Sequence, residues 1–285
     1  MSDIEDRIAS HYSKLSGRLR DAADYVLANP VDVATRSLRS VAEESRLAPA
    51  TFTRLAQALG FPGYQDLREK ARRAVGKRYS GFSEKAQALH EGLASGSEPP
   101  FLTRQCSAVI ENLTAMAQDL DPERIEAFVH DLEEARTVYA VGGLSSSGLI
   151  HHVVYLAGFF SDRWRMIGQA GASALAGAGP GDMLIILTLR PFASGSIRLA
   201  QTAKSLGLEV AVITDTHACP ALPHASHHFV VPTESPQFFS SNAAIVTFFE
   251  TIMGMLVARM GVSAQERIAA VTNLNHDLEV YWPGS

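Results

Sequence analysis

Two kinds of chemistry are suggested by particular stretches of this chain. The first is recognition of a polyanion. Between 49 and 59 the apolar residues Phe52, Leu55, Ala56 and Leu59 recur at helical spacing, which turns one face of a helix inward. Pro49, Ala50, Thr53, Arg54 and Gln57 are left on the outer face. Thr, Arg and Gln side chains reach base edges and phosphates, and the first turns of such a helix are the part that enters a major groove. A three-helix adaptor or oligomerisation domain would show the same spacing. The second chemistry is the holding of a small anion. VGGLSSSG (141–148) puts Ser145, Ser146 and Ser147 at a helix start, where hydroxyls and unsatisfied backbone N–H groups receive negative charge. A serine-rich helix cap with no ligand has the same composition. Further along, Ser194 and Ser196 open another helix, and Arg190 just before them carries a guanidinium suited to paired bonds with phosphate or carboxylate.

The elements that must position these groups differ between the two ends of the chain. Residues 1–80 read as all helix. Leu19, Ala22, Ala23, Val26 and Leu27 form one apolar stripe, ended by Asn29-Pro30 because proline disfavours helix in the residue before it. Leu38, Val41 and Ala42 form a second stripe. The stripe at 52–59 is stopped by Gly60 and Pro62, and a fourth helix begins near Tyr64. The segment 37–60 thus has helix-turn-helix dimensions, with helices over 37–45 and 49–59 and Pro49 at the first helical position. SGSEPP (95–100) marks a break between helical segments.

From Thr137 the texture changes. TVYAV (137–141), WRMI (164–167), MLIILTL (183–189), EVAVIT (209–214) and HFVV (228–231) are short, apolar and rich in β-branched residues, with helical stretches between several of them. Apolar-through strands alternating with helices predict a parallel sheet covered on both faces, a doubly wound three-layer sandwich. Helices over about 241–260 and 264–277 close the chain. The expected organisation is an all-helical domain over 1–78, a helical linker over 79–116 and a parallel-sheet α/β domain over 117–285.

The net charge of −5 is unevenly spread. Within 46–78, Arg46, Arg54, Arg68, Lys70, Arg72, Arg73, Lys77 and Arg78 face only Asp66 and Glu69. A basic segment joined to an acidic body suits a DNA reader attached to something else, although a solvated helix face shows the same run. The two cysteines, Cys106 and Cys219, have no metal-ligand spacing and imply reduced thiols. His224, His227 and His228 cluster, and His151-His152 are adjacent, but neighbouring histidines in a strand point to opposite faces. Neither a metal site nor a cofactor is expected. MSDIEDRIAS is acidic and mixed, unlike a signal peptide, and no apolar run approaches the ~20 residues needed to span a bilayer. A cytoplasmic protein without a membrane segment is the expectation.

The run APATFTRLAQALGFPGYQDLREKARRAV (48–75) resembles the signature of RpiR-family regulators, a Ser-x-x-Thr-x-x-Arg recognition helix followed by Leu-Gly-Phe-x-Gly-Tyr and a basic helix. Thr51, Arg54, Leu59, Gly60, Phe61, Gly63 and Tyr64 match, and the resemblance adds Thr51 and Tyr64 to the DNA-binding candidates. Ala48 stands where the family usually has a serine N-cap, a loss of roughly 1 kcal/mol of capping. Residues from about 117 to 260 resemble the sugar isomerase (SIS) domain that these regulators carry, which binds phosphosugars where strands end and helices begin. Gly142 and Ser146 match its first loop, while Leu144 replaces a second glycine. In the second loop Thr188 keeps a hydroxyl, and Arg190, Pro191 and Ala193 replace Ser, Gly and Thr. Arg190 then either binds the anion or, with Phe192, fills the old pocket.

What the resemblance implies is a transcriptional regulator without catalytic residues. Its partners would be a double-stranded DNA operator, a small anionic effector (a phosphosugar or organic acid) and further copies of itself in a dimer or tetramer. The alternative is an SIS-type sugar-phosphate isomerase with a helical extension. That chemistry needs a general base, which neither loop supplies as a carboxylate, leaving His151, His152 and Glu234 as neighbours.

Overall fold

The computed structural model describes residues 4, 7–8, 11–12, 15–95, 98–168 and 171–282. The chain divides into two compact units, residues 1–98 with 237–239, and residues 99–236 with 240–285.

The first unit is helical. It contains α1 (Gly17–Ala28), α2 (Pro30–Thr35), α3 (Leu38–Ser45), α4 (Pro49–Ala58) and α5 (Tyr64–Ser95). The apolar stripes converge on one core holding Ala22, Val26, Val41, Phe52, Leu55 and Leu67. The stripe of α1 ends at Asn29, as the following proline requires, but Pro30 also opens α2, a short helix that apolar spacing did not signal. Proline is tolerated there because a first-turn N–H has no partner within the helix. α5 runs for 32 residues. It passes straight through the start of the expected 79–116 linker, because nothing before Pro99-Pro100 breaks it. The remainder of that stretch is α6 (Phe101–Asp119) of the second unit, so the division falls after Glu98 and not around a separate linker.

The second unit continues with α7 (Pro122–Glu134), β1 (Val138–Gly142), α8 (Ser146–Phe160), β2 (Trp164–Met166), α9 (Gly171–Leu175), β3 (Met183–Leu187), α10 (Ser194–Ser205), β4 (Glu209–Thr214), β5 (His227–Val230), α11 (Ala243–Met260) and α12 (Val262–Asp277). All five expected apolar runs form strands of one parallel sheet, in the order β2-β1-β3-β4-β5. Side chains alternate between its faces. Ala140, Ile185, Leu187, Ala211 and Ile213 enter a core with residues of α7, α8 and α11. Leu184, Ile186, Val210 and Val212 enter a second core with Ala200 and Ala203 of α10. By length and composition α11 is apolar enough to cross a bilayer. Its face of Ile245, Phe248, Phe249, Ile252, Met253 and Leu256 is instead buried in the first of these cores.

The end of the sheet where the central strand β3 begins is pinned by a buried carboxylate. Asp182, 1% exposed, accepts two bonds from Arg136, at 2.9 Å from Nε and 2.6 Å from Nη2. It accepts a third from the Gly179 N–H at 3.0 Å. The Arg136 hydrogen bonds hold its carboxyl below its ordinary value of 3.8. A depressed folded-state pKa means that the stabilisation is in full force above that value and is lost as pH falls through the lower, folded one. Urea melts of wild type and Asp182→Asn should therefore differ more at pH 7 than at pH 3, and an equal difference at both would refute this assignment.

Candidate functional site

The helix-turn-helix is built from α3 and α4. The Ser37 hydroxyl caps α3 by accepting from the Ser40 N–H at 3.2 Å. The helix stops at Arg46, which takes the left-handed conformation (φ 57°), and the Leu47 N–H then donates to the Ala42 carbonyl at 3.1 Å. Ala48 occupies the N-cap of α4 with no side-chain bond, the missing cap expected from sequence. Phe52, Leu55 and Ala56 point into the core. Pro49, Ala50, Arg54 and Gln57 are exposed, and Thr51 and Thr53 are half-buried, Thr53 Oγ1 donating to the Pro49 carbonyl at 3.4 Å. Gly60, at φ +80°, permits the sharp turn after α4.

Tyr64 is a correction. It is 4% exposed, its ring lies edge-on to Phe52 at 6.1 Å, and burial pushes its hydroxyl pKa up to about 12. The family-like tyrosine is therefore a core residue of this unit and not a reader of DNA. Sequence matching finds the position but not the direction its side chain takes. Its buried hydroxyl has no hydrogen-bond partner among the described residues. Tyr64→Phe should accordingly leave DNA affinity unchanged and stabilise the fold by about 1 kcal/mol, since an unpaired buried hydroxyl costs on that order. Denaturant melts check the gain, and a clear loss of stability would show that the hydroxyl is satisfied in solution. Of the basic run on α5, the side chains of Arg72, Arg73, Lys77 and Arg78 lie outside the described residues.

In the second unit, the strand order reverses direction between β1 and β3, so the loops leaving their carboxyl ends diverge to opposite faces and open a crevice. A cleft of about 1300 Å³ lies there. Its floor is the end of β1 and the residue after it, Val141 to Gly143; residues 147, 151 and 155 of α8, residues 195, 198, 199 and 202 of α10 and Leu206 just past α10 also line it. Glycine is required where the two loops meet. A Cβ on Gly143 would overlap Ala193 Cβ and lie 2.8 Å from Ser196 Oγ, and one on Gly142 would overlap the Ser146 carbonyl. Leu144, which replaces a family glycine, takes the left-handed conformation (φ 53°) that glycine adopts without strain.

Of the expected effector residues, Gly142, Ser147 and Ser196 line the cleft. Ser147 Oγ donates to the Leu144 carbonyl at 3.0 Å, tightening the first turn of α8. Ser145 holds the N-cap position without a side-chain bond, and Ser146 is buried at 2% exposure; neither lines the cleft. Ser194 is exposed and accepts from Arg198 Nη2 at 3.4 Å. Thr188 is buried just past β3, its Oγ1 without a partner among the described residues.

Arg190 is held by an acidic partner that neither of its expected roles foresaw. Its Nε donates to Asp215 Oδ2 at 3.0 Å and its backbone N–H to Oδ1 at 3.3 Å. It is absent from the lining of the cleft. The acidic partner comes from the end of β4, 25 positions away, and no local pattern announces such a pairing. His151 and His152, expected only as neighbours of the loops, line the cleft, and the groups that sequence reasoning missed are Arg198 and Thr202. Arg198 lay in view, one helical turn beyond Ser194 on a helix already assigned to the site.

The other histidines are engaged separately. His227 Nε2 lies 2.8 Å from Asp131 Oδ2, and His228 Nδ1 lies 3.3 Å from Arg124 Nη2. Burial, followed by the Arg124 charge, lowers the His228 pKa from its ordinary value. Among the described residues one cluster has metal-ligand proximity, His130, Glu133 and Glu134. Arg259 donates to Glu133 there at 2.9 Å and lies 3.3 Å from His130 Nδ1.

The two units thus define a helix-turn-helix joined in one chain to a doubly wound sheet with a cleft at its switch point. Residues 2–76 match the family model of the helix-turn-helix domain, rpiR family, and the N-terminal unit is a domain of that family. Over 217 residues the chain is 24% identical to the uncharacterized HTH-type transcriptional regulator YbbH of Bacillus subtilis (strain 168), covering 73% of this chain and 72% of that protein. The second unit has the fold of the sugar isomerase domain of an RpiR transcription factor from Sphaerobacter thermophilus (TM-score 0.56, 21% identity, 61% of this chain and 97% of that one). Nearly the whole chain aligns with the Vibrio vulnificus NanR protein complexed with ManNAc-6P (TM-score 0.57, 18% identity, 96% of this chain and 98% of that one).

Proposed function

We propose that this protein is a transcriptional regulator whose α4 reads an operator and whose switch-point cleft binds a small anionic metabolite that controls the reading. The observation that carries this is the cleft itself. Among the described residues it is lined by Arg198, His151 and His152 and by no carboxylate, in a chain that also bears an rpiR-family helix-turn-helix. Basic groups beside helix starts receive an anion, and open α/β sheets hold ligands at this position. The NanR ligand, a phosphorylated sugar derivative, makes phosphosugars and related intermediates the first class to test. The isomerase alternative retains His151 and His152 as bases. Glu234 does not line the cleft, and its backbone is bonded on both sides to Asn112, at 2.7 and 3.1 Å. We infer a binding role without catalysis.

Selection of genomic fragments by the purified protein, followed by anisotropy titrations across salt concentrations, tests the reading. Affinity should fall steeply with salt, with a log–log slope of about −0.9 per phosphate neutralised, and one fragment class should be preferred. Salt-independent or sequence-blind binding would overturn it. A two-fold operator needs two heads, so the protein should be at least a dimer without DNA. Light scattering that gives 30.7 kDa at micromolar concentration would exclude this.

A further inference from the structure

The walls of the cleft differ along its length. Near the loops, the start of α10 and the second turn of α8 contribute Arg198, His151 and His152. Farther along come Leu199 of α10 and Leu206 just past its end, together with Met166, Ile167 and Leu175. Four of the unit's exposed large apolar side chains stand on this one rim: Leu144 at 66% exposure, Tyr155 at 61%, Met166 at 44% and Leu206 at 40%. Apolar surface held open to water in one place marks a binding site for something apolar. Equally telling is what the lining lacks. Sugar hydroxyls both donate and accept, and carboxylate and amide side chains serve them best. Among the described lining residues there is no Asp, Glu, Asn or Gln. Ser147 already spends its proton on the Leu144 carbonyl, and Ser196 is buried at 3% exposure. Tyr155 and Thr202 add two hydroxyls to the described lining, too few for a polyol, which would leave most of its hydroxyls unpaired along this wall.

We propose that the ligand of this cleft is an acid with an apolar body, its anionic group held by Arg198 and the histidines of α8 and its body laid against Met166, Leu199 and Leu206. The proposal rests on the reading of the cleft as an effector site and narrows it, away from bare sugar phosphates. Phenyl phosphate and glucose 6-phosphate carry the same anion on opposite kinds of body, and calorimetric titration of the full-length protein with each provides the test. Phenyl phosphate should bind at least tenfold more tightly. Met166→Gln, at an exposed position, should reduce that ratio without lowering Tm, Leu199→Gln should reduce it further, and Arg198→Ala should weaken both compounds. If glucose 6-phosphate binds as tightly or more tightly and loses affinity in Arg198→Ala, the effector site stands and its proposed preference falls. If neither compound binds at millimolar concentration, or binding ignores Arg198→Ala, the preference and the site reading fail together.

Discussion

Arg54→Ala should cost the protein about 1–3 kcal/mol of operator affinity, roughly a ten- to hundredfold loss, while leaving the fold intact. Arg54 stands exposed on α4, on the face opposite Phe52, Leu55 and Ala56, so nothing in the core depends on it. If it reads a base, the loss falls on the preferred sequence and discrimination relaxes at one position. If it holds a phosphate, binding weakens evenly across sequences and the salt slope decreases by about one. Competition assays with specific and random duplexes separate these two roles. Wild-type affinity in the mutant for both duplexes would remove α4 from the interface. Gln57, exposed one turn closer to the end of α4, should show a smaller, sequence-dependent effect.

Arg190→Ala should act first on stability. Its partner Asp215 is 4% exposed, and the guanidinium is the only side chain seen to pair with it among the described residues. Removing one member of a buried pair strands the other charge, a cost of 3–5 kcal/mol when both are deeply buried. Arg190 is 30% exposed, so water can partly replace it, and a loss of about 2–3 kcal/mol is expected. That corresponds to a Tm lower by roughly 5–10 °C for a domain of this size. Asp215→Asn in the Arg190→Ala background should recover part of the loss, because the neutral amide no longer needs a cation. A double-mutant cycle in urea measures the coupling. Unchanged stability in Arg190→Ala, combined with loss of anion binding, would return Arg190 to the role of ligand.

Much of the architecture was legible in the linear pattern because it depends on local repetition. Apolar side chains at helical spacing specified α3 and α4, and the inward direction of Phe52 followed from that spacing without any long-range information. Short β-branched runs separated by helices led to a parallel sheet, since few other arrangements bury such strands on both faces. The glycines and serines of 142–147 pointed to a loop at the end of β1, and Ala48 correctly read as a helix start lacking its cap. α5 was misjudged at its far end because a helix long enough to leave its own core carries no apolar stripe to mark where it stops.

The tertiary structure decided which of the marked residues share a space. Tyr64 follows the turn after α4 into the core beside Phe52, a direction set by how α5 crosses α4 and not by any neighbour in sequence. Asp215 reaches Arg190 only because β3 and β4 lie side by side in register, Leu187 opposite Ile213, which brings the loops beyond them together. The strand order opened the cleft between the loops after β1 and β3, and so chose His151, His152 and Arg198 as its basic lining while leaving Thr188 buried beneath. Sequence marks residues able to bind an anion by their chemistry, but membership of one site is a matter of distance, and distance is created when the sheet assembles.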